Sequence, residues 1–213
     1  MKIGIIAASG KAGTAILKEA VARGHEVTAF VRDAAKIKES GVKVVQKDAF
    51  QLTAEDVTGL DVVVNAFGAP LGQEHLHVEA GRSLIQAFRG APDTRLIIVG
   101  GAGSLYVDEA KTLRVVDTPD FPDLFKATAS NQAQNLQDLK ESTGVKWTFV
   151  SPSAFFNPEG KRTGTYRTGK DHLLVNSSGE SHVSYADYAI AIVDEIENPQ
   201  HENERFTVVS DFE

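Results

Sequence analysis

Apolar and polar positions follow two different periods along this chain, and the two periods alternate. Short apolar runs typical of strands occur at residues 3–6, 26–31, 43–46, 60–65, 94–99, 146–151 and 206–209. Between several of these runs, apolar residues return every three or four positions, as on one face of a helix, over residues 12–23, 74–89, 122–141 and 185–196. Strands that alternate with helices favour a parallel sheet, so we expect an α/β protein.

The first strand ends in a turn of small residues that leads directly into the first helix. Residues 7–13 read Ala-Ala-Ser-Gly-Lys-Ala-Gly. A tight turn between a strand and a helix directs the unpaired N–H groups and the positive end of the helix dipole at a pyrophosphate. Small side chains in the turn allow the backbone to touch the phosphate groups. We therefore expect a Rossmann-type doubly wound parallel sheet whose cofactor-binding turn contains Ser9, Gly10, Lys11, Ala12 and Gly13.

Ala7 stands where dinucleotide-binding turns usually have their first glycine. The spacing Ala7-x-x-Gly10-x-x-Gly13 resembles the G-A-T-G-x-x-G turn of atypical and extended short-chain dehydrogenases. Alanine is strained at positive φ, so we expect either a negative φ at Ala7 or a slightly displaced turn. An ordinary strand-to-helix turn is the alternative, and the flanking strand and helix favour the cofactor-binding interpretation.

Length and composition indicate one domain spanning residues 1–213. Hydrophobic residues make up 42% of the chain and charged residues 24%, which are ordinary values for a globular protein. No apolar run reaches membrane-spanning length, and the first strand leaves no room for a signal peptide, so we expect a cytoplasmic protein without membrane contact. The chain contains no cysteine, which excludes disulfides and thiolate metal sites.

The formal net charge of −7 argues against nucleic acid as a partner. Proteins that bind a phosphate backbone cluster Lys and Arg, which are scattered in this chain. His75 and His77 are two residues apart on a helix and so face different sides, which is the wrong geometry for a shared metal. We expect neither a nucleic-acid partner nor a metal site, and we leave a homodimer open.

Arg32 and Asp33 end the second strand, where a dinucleotide-binding fold meets the adenosine ribose. An acid at this place bonds the 2′-hydroxyl of NAD, whereas a cation matches the 2′-phosphate of NADP. Arg32 therefore favours NADP over NAD, and Asp33 keeps NAD open. The alternative is that Arg32 is a solvated charge at a strand end.

Two further loops follow the third and fourth strands. Asp48 and Ala49 come just past the third strand, beside the expected adenine, although a loop aspartate is also a common helix cap. After the fourth strand, small residues and an aromatic one allow the backbone to approach the ribose and pyrophosphate. These residues are Ala66, Phe67 and Gly68.

The catalytic pattern of short-chain dehydrogenases is incomplete. These enzymes carry a serine after the fifth strand and Tyr-x-x-x-Lys on the next helix. Here Ser104 follows the fifth strand, but the next helix has Lys126 and no tyrosine. Tyr166 and Lys170 match the motif literally, yet the intervening Arg-Thr-Gly is poor helix material, so we interpret the match as coincidence. We expect Ser104 to position an acceptor and Lys126 to stabilise negative charge on it.

Residues 153–184 are rich in Gly, Ser and Thr and interrupt the alternation of strands and helices. Short strands are predicted at residues 173–175 and 182–183, around an Asn-Ser-Ser-Gly turn. We expect a small C-terminal lid or substrate subdomain here. Tyr106, Phe155 and Phe156 are further candidates for the walls of its pocket.

Three segments carry a resemblance to one family. Residues 3–13, residues 24–32 (Gly-His-Glu-Val-Thr-Ala-Phe-Val-Arg) and residues 179–191 (Gly-Glu-Ser-His-Val-Ser-Tyr-Ala-Asp-Tyr-Ala-Ile-Ala) resemble bacterial NAD(P)-binding proteins labelled NADH-flavin reductases. The chain is similar also to biliverdin reductase B and to the NmrA-like proteins, which are atypical short-chain dehydrogenases. The resemblance implies a Rossmann domain that binds NAD(P)H and reduces a flavin or quinone-like acceptor.

The missing tyrosine is compatible with this activity, because hydride transfer to a flavin or quinone mainly requires two stacked rings. The sequence thus predicts an NAD(P)H-dependent oxidoreductase with a small-molecule flavin or quinone-like acceptor. An alternative of another class is a non-catalytic, NmrA-like redox sensor that binds NAD(P) and acts through a protein partner. A sugar-nucleotide dehydrogenase or isomerase is disfavoured by the missing motif.

Overall fold

The structure, a computed structural model, describes residues 1–210. Its strands are β1 Lys2–Ile6, β2 Glu26–Val31, β3 Lys43–Gln46, β4 Val62–Asn65, β5 Arg95–Val99, β6 Trp147–Ser151, β7 Phe155–Asn157, β8 Tyr166–Gly169, β9 His182–Ser184 and β10 Glu204–Ser210. Its helices are α1 Lys11–Ala22, α2 Ala54–Val57, α3 Leu76–Arg89, α4 Asp123–Glu141 and α5 Tyr185–Glu197. Within residues 1–210, no helix is both long enough and apolar enough for a membrane span.

Eight strands form one sheet in the order β3-β2-β1-β4-β5-β6-β10-β8. All neighbours in it are parallel except β10 and β8, which are antiparallel. The chain winds outward from β1 in both directions, so the order of the strands reverses between β1 and β4. This is the doubly wound, Rossmann-type α/β fold, and the fold class predicted from the sequence is confirmed.

Helices cover both faces of the sheet, which is why its central strands are apolar throughout. Along β4, Val62 and Val64 belong to the core under α1 and α5, whereas Val63 belongs to the core under α3 and α4. Each of these three side chains is at most 3% exposed. Parallel strands buried on both faces need this continuous apolar run, since successive side chains point to opposite faces.

The segment 153–184 is joined to the main sheet through β8. β7 and β9 pair in a small parallel sheet, while β8 runs antiparallel along the edge of β10. The prediction of a strand at residues 173–175 is wrong, because the strand in this part of the chain is β8, Tyr166–Gly169. The Leu173 N–H donates to the Tyr106 carbonyl oxygen at 2.9 Å. Residues 173–175 belong to neither of the two sheets.

Asp187, a fully buried residue of α5, fixes this segment to the rest of the fold. Its carboxylate accepts the N–H groups of Thr163 at 2.9 Å and Gly164 at 3.0 Å. It also accepts the hydroxyls of Thr163 at 2.7 Å and of Ser210, at the end of β10, at 2.8 Å. A buried carboxylate needs such donors, because burial without them is unfavourable.

We therefore predict that Asp187→Asn lowers the free energy of unfolding by about 2 kcal/mol, because a neutral amide bonds these donors less strongly than a carboxylate. Urea denaturation measures the change. Asp120→Asn is the matched control, since Asp120 is exposed and makes no side-chain hydrogen bond with any residue in 1–210, so its change stays within about 0.5 kcal/mol. Equal stability of the two variants would contradict the anchoring role.

Candidate functional site

A cleft of about 610 Å³ opens at the carboxyl ends of the central strands. Its lining includes the last residues of β1, β2 and β5 and the loop after β4, on both sides of the point where the strand order reverses. Ligands of doubly wound folds bind at this point because the connections diverge there and leave a crevice. Sequence-predicted residues that line the cleft are Ser9, Gly10, Lys11, Ala12, Arg32, Asp48, Ala49, Ala66, Phe67 and Gly68.

The turn from β1 into α1 is tighter than the sequence suggested. Ala7 has φ 56°, so of the two alternatives expected there the negative φ is wrong, and the displaced turn stays a prediction. Its N–H donates to Phe30 O of β2 at 2.9 Å, and its carbonyl accepts the Gly10 N–H at 2.9 Å, and these bonds fix the residue in the left-handed region. The left-handed conformation costs an L-residue about 1–2 kcal/mol, which the two hydrogen bonds offset.

Gly13 does not line the cleft but lies beneath the turn. A Cβ at Gly13 would stand 2.3 Å from the carbonyl oxygen of Ala7, so the first turn of α1 reaches this close only with glycine. Gly10 has φ −74°, an ordinary value, and a Cβ there would stand 3.2 Å from the same oxygen. Gly13 is thus required by the protein's own backbone, whereas Gly10 keeps the cleft surface open.

The turn offers backbone donors to an anion. In residues 1–210, the N–H groups of Lys11, Ala12 and Gly13 have no acceptor, because they belong to the first turn of α1. No acidic side chain occupies that turn, so the positive end of the helix dipole is uncompensated. Free N–H groups and small side chains at the mouth of the cleft fit a pyrophosphate.

At the end of the cleft near β2, Arg32 and Lys36 are exposed cations, and Lys36 was not predicted. The Asp33 carboxylate is engaged locally, since it accepts the Ala35 N–H at 3.0 Å and caps a short 3₁₀ turn. The Asp48 carboxylate likewise caps its own loop, accepting the Phe50 N–H at 2.9 Å. Asp48 therefore both lines the cleft and shapes the loop, as the two alternatives for it proposed.

The loop after β4 is held by two buried side chains. Asn65 Oδ1 accepts the Phe67 N–H at 3.1 Å, and His77 Nε2 accepts the Ala69 N–H at 3.4 Å. Burial lowers the pKa of His77, which keeps the ring neutral and able to accept. The Phe67 ring packs edge-on between Phe50 and His77, at centroid distances of 5.6 and 5.9 Å. His77 is thus a structural support of the cleft, one that its spacing from His75 did not reveal.

Two residues of α4, Thr128 and Gln132, face the cleft. They are four positions apart, the spacing that places two side chains one above the other on a helix. A Cβ on Gly103 would lie 2.6 Å from Ala129 Cβ and 3.4 Å from Ala129 Cα, so glycine in the loop after β5 allows α4 to approach. The residues of α4 that line the cleft are therefore a threonine and a glutamine, and neither is a tyrosine or a lysine.

Lys126 and Ser104 lie outside the lining of the cleft. Lys126 is half-exposed on α4, and its Nζ is 2.7 Å from Asp123 Oδ1, one turn earlier. Ser104 Oγ accepts a hydrogen bond from the buried Arg205 guanidinium at 2.9 Å. Arg205 also binds Asp171 at 2.9 Å, so Ser104 joins a network that ties the loop after β5 to β10. Neither side chain faces the place where the sequence suggested an acceptor.

The wall of the cleft at the start of α5 is aromatic. Phe156 and Tyr185 both line it, with ring centroids 4.0 Å apart, whereas Phe155 points outward and is 58% exposed. Burial raises the pKa of Tyr185, so its hydroxyl stays protonated at neutral pH. Tyr185 is the first residue of the apolar helical pattern predicted over residues 185–196, and the packing of α5 against β7 brings it to the cleft.

Tyr166 and Lys170 do not form a catalytic pair. Tyr166 lies on β8, and its hydroxyl donates to Asp194, while Lys170 Nζ is 3.2 Å from Glu204. Burial, followed by the Asp194 hydrogen bond, raises the pKa of Tyr166 above its ordinary range. Neither residue lines the cleft. The interpretation of the motif as coincidence agrees with this placement, since a strand cannot align residues one helical turn apart.

A doubly wound sheet with a cleft at its switch point and free amides at a small-residue turn defines a dinucleotide-binding protein. A profile of proteins described as NAD(P)H-binding matches residues 7–199. The chain belongs to this NAD(P)H-binding family.

Individual relatives cover the whole chain. The uncharacterized protein YwnB of Bacillus subtilis is 63% identical, over 100% of both chains. A Streptococcus pneumoniae structure described as a "putative NADH-flavin reductase" is 46% identical, covers 99% of each chain and has a TM-score of 0.93. A Bacteroides thetaiotaomicron structure described as a "putative epimerase" is 36% identical over 100% of this chain and 98% of the other, with a TM-score of 0.88.

We predict that Gly10→Glu abolishes NADPH binding while the protein stays folded, because the carboxylate enters the anion site whereas the added Cβ meets no atom closer than Ala7 O at 3.2 Å. Fluorescence titration with NADPH and circular dichroism measure the two properties. Ala110→Glu adds the same charge at an exposed loop position outside the cleft and serves as the control. Unchanged NADPH affinity in folded Gly10→Glu would refute the placement of the pyrophosphate.

Proposed function

We propose that this protein is an NAD(P)H-dependent oxidoreductase that transfers hydride to a flavin or quinone-like acceptor. The observation that carries the proposal is the aromatic wall of Phe156 and Tyr185, whose ring centroids are 4.0 Å apart at the cleft. Hydride transfer between two planar rings requires short-range stacking, which an aromatic wall favours. The description of the Streptococcus pneumoniae relative supports the same class of acceptor.

The chain's own residues bind, orient and protect the reactants in this proposal. NADPH, when bound, supplies the hydride. The free amides of Lys11 and Ala12 hold its pyrophosphate, and the loop at residues 66–69 borders its ribose. Phe156 excludes water from the acceptor ring, and the protonated Tyr185 hydroxyl donates a hydrogen bond to it. Lys126 takes no part, because its ammonium is paired with Asp123 outside the cleft.

NADPH is the cofactor we favour over NADH. Arg32 and Lys36 lie on the cleft where the ribose 2′-position is expected, and within residues 1–210 neither side chain makes an ion pair. The Asp33 carboxylate is occupied by the Ala35 N–H, so it is less available to a 2′-hydroxyl. Cations without partners match a 2′-phosphate.

Arg32→Ala is expected to weaken NADPH binding by about 1.5–3 kcal/mol, a tenfold or greater rise in Kd, and to leave NADH nearly unchanged. The physical reason is that only NADPH carries the phosphate that the guanidinium bonds. Isothermal titration with each nucleotide provides the measurement. Lys38→Ala removes a nearby exposed cation that does not line the cleft and should change neither affinity. Equal losses for both nucleotides would show that Arg32 only packs against the adenosine.

The activity itself is tested by following NADPH consumption with FMN, riboflavin and a benzoquinone, each in separate anaerobic assays. We expect catalysed oxidation with at least one of these acceptors, and loss of that activity in Gly10→Glu. NADPH binding without turnover on any of them would overturn the reductase proposal.

Tyr166→Phe provides the mechanistic comparison in the same assay. A general acid usually contributes on the order of 10²–10⁴ in rate, so a variant lacking one would lose most turnover. Because Tyr166 bonds Asp194 away from the cleft, we expect turnover within a few-fold of the parent. A hundredfold loss with unchanged NADPH affinity would mean that β8 carries the acid.

A second candidate function rests on Thr128 and Gln132. These side chains do not ionise near neutral pH, and they are the residues of α4 that line the cleft, on the helix where short-chain dehydrogenases carry Tyr-x-x-x-Lys. A cleft without a proton-donating side chain on α4 favours a redox sensor that binds NAD(P) and reports the redox state of the nucleotide to a protein partner. NADPH binding without turnover in the acceptor assays is the outcome that this function predicts.

A further inference from the structure

A second cavity, of about 700 Å³, borders the glycine turn on the side of α1. It runs along α1 and is bounded opposite by residues 158–162 and by the start of α5. We name it the α1 groove; its lining includes Thr14, Lys18, Glu19, Gly160, Arg162 and Tyr185. None of the functions proposed above uses it.

Two lysines without ion-pair partners in the described part of the chain and one arginine that is paired with Glu19 line the α1 groove. Lys11 and Lys18 both line it, and neither forms an ion pair within residues 1–210. Of the two carboxylates in its lining, Glu19 is shared by the guanidinium groups of Arg23 at 2.9 Å and of Arg162 at 3.2 Å, and Glu159 is exposed. The cations of the lining, Lys11, Lys18 and Arg162, outnumber these two carboxylates, and this excess of positive charge favours an anionic ligand group.

Arg162 is held in a defined place over α1. The two residues that follow it, Thr163 and Gly164, donate their N–H groups to the buried carboxylate of Asp187. On its other side, Gly160 packs so closely that a Cβ there would stand 2.7 Å from Ser184 Cβ. The guanidinium thus projects from a fixed backbone, which reduces the entropy lost when it binds a ligand.

The α1 groove and the cleft are neighbours separated by Tyr185. Both cavities include this residue and the turn residues Ser9, Gly10 and Lys11 in their linings. A ring stacked at the Phe156 and Tyr185 wall has its substituents within reach of the groove. Flavin mononucleotide matches this arrangement of a ring site beside an anion site, because it joins a planar ring to a flexible chain that ends in a phosphate.

We propose that the α1 groove binds the phosphate tail of the acceptor through Lys18 and Arg162, so that the protein selects FMN over riboflavin. This inference rests on the proposed flavin reduction and names its substrate. Both cations would donate hydrogen bonds to the phosphate, and such charge-assisted hydrogen bonds are stronger than neutral ones. Riboflavin presents the same ring without the phosphate and so isolates the contribution of the groove.

The test measures binding of FMN and of riboflavin to the NADP⁺-loaded protein by quenching of flavin fluorescence. We expect the parent protein to bind FMN about tenfold or more tightly than riboflavin, as charge-assisted hydrogen bonds of this kind imply. Lys18→Ala and Arg162→Ala should each remove most of this preference while leaving riboflavin and NADPH affinities unchanged. Arg162→Lys, which retains the charge, should keep part of it.

Lys140→Ala is the matched control, because Lys140 is an exposed lysine of α4 remote from the groove lining and should leave the preference intact. Equal affinities of the parent for FMN and riboflavin would overturn the inference, as would absence of flavin binding. Parallel losses for both flavins in the Lys18 and Arg162 variants would overturn it as well.

The two proposals fail in distinguishable ways. Selective FMN binding that depends on Lys18, without NADPH oxidation, would support the groove and refute the reductase activity. NADPH oxidation that proceeds equally well with FMN and riboflavin, with equal affinities, would support the reductase activity and refute the groove.

Discussion

The close contact between Gly13 and the carbonyl oxygen of Ala7 is the constraint on which the site depends. It allows α1 to begin immediately after β1, so that the free amides of Lys11 and Ala12 lie at the mouth of the cleft. The chain can reverse so sharply only because Ala7 adopts φ 56°. Two hydrogen bonds hold Ala7 there, one to β2 and one from Gly10. The strained residue is therefore part of the anion site, a common location for such backbone strain.

The acceptor side of the molecule depends on a different interaction, at Asp187. This buried carboxylate gathers donors from residues 163–164 and from the end of β10. It thereby connects the segment 153–184, α5 and the sheet in one rigid arrangement. The aromatic wall of Phe156 and Tyr185 and the cation of Arg162 all stand on this arrangement. The glycine turn on the proposed cofactor side and the aromatic wall on the proposed acceptor side are thus stabilised by separate interactions. The two sides meet at the glycine turn.

The chemistry of the cleft follows from what α4 presents. With Thr128 and Gln132 in place of an acid and a lysine, the cleft provides shape, aromatic surface and a protonated Tyr185 hydroxyl, but within residues 1–210 it has no side chain of α4 that can exchange a proton readily. Such a site suits an acceptor that needs little proton donation from the protein, which is the property of a flavin. The cations at the two ends, near Arg32 and near Lys18, are the basis of the proposed selectivity for phosphate groups.

Local patterns determined much of this protein. The alternation of strands and helices, the small-residue turn and the apolar run of β4 follow from side-chain period and backbone freedom, which neighbouring residues alone decide. They sufficed for the fold, for naming cofactor-binding residues most of which line the cleft, and for rejecting the pair Tyr166 and Lys170. The conformation of Ala7 and the contribution of Tyr185 required the tertiary structure, because they depend on contacts with Phe30 and Phe156, which lie far from them in the chain. The support from His77 and the pairing of Lys126 with Asp123 are nearer contacts, which apolar and polar spacing alone does not reveal. Ser104, plausible from its position after β5, is bound instead by Arg205 of β10, a contact that only the folding of the sheet creates.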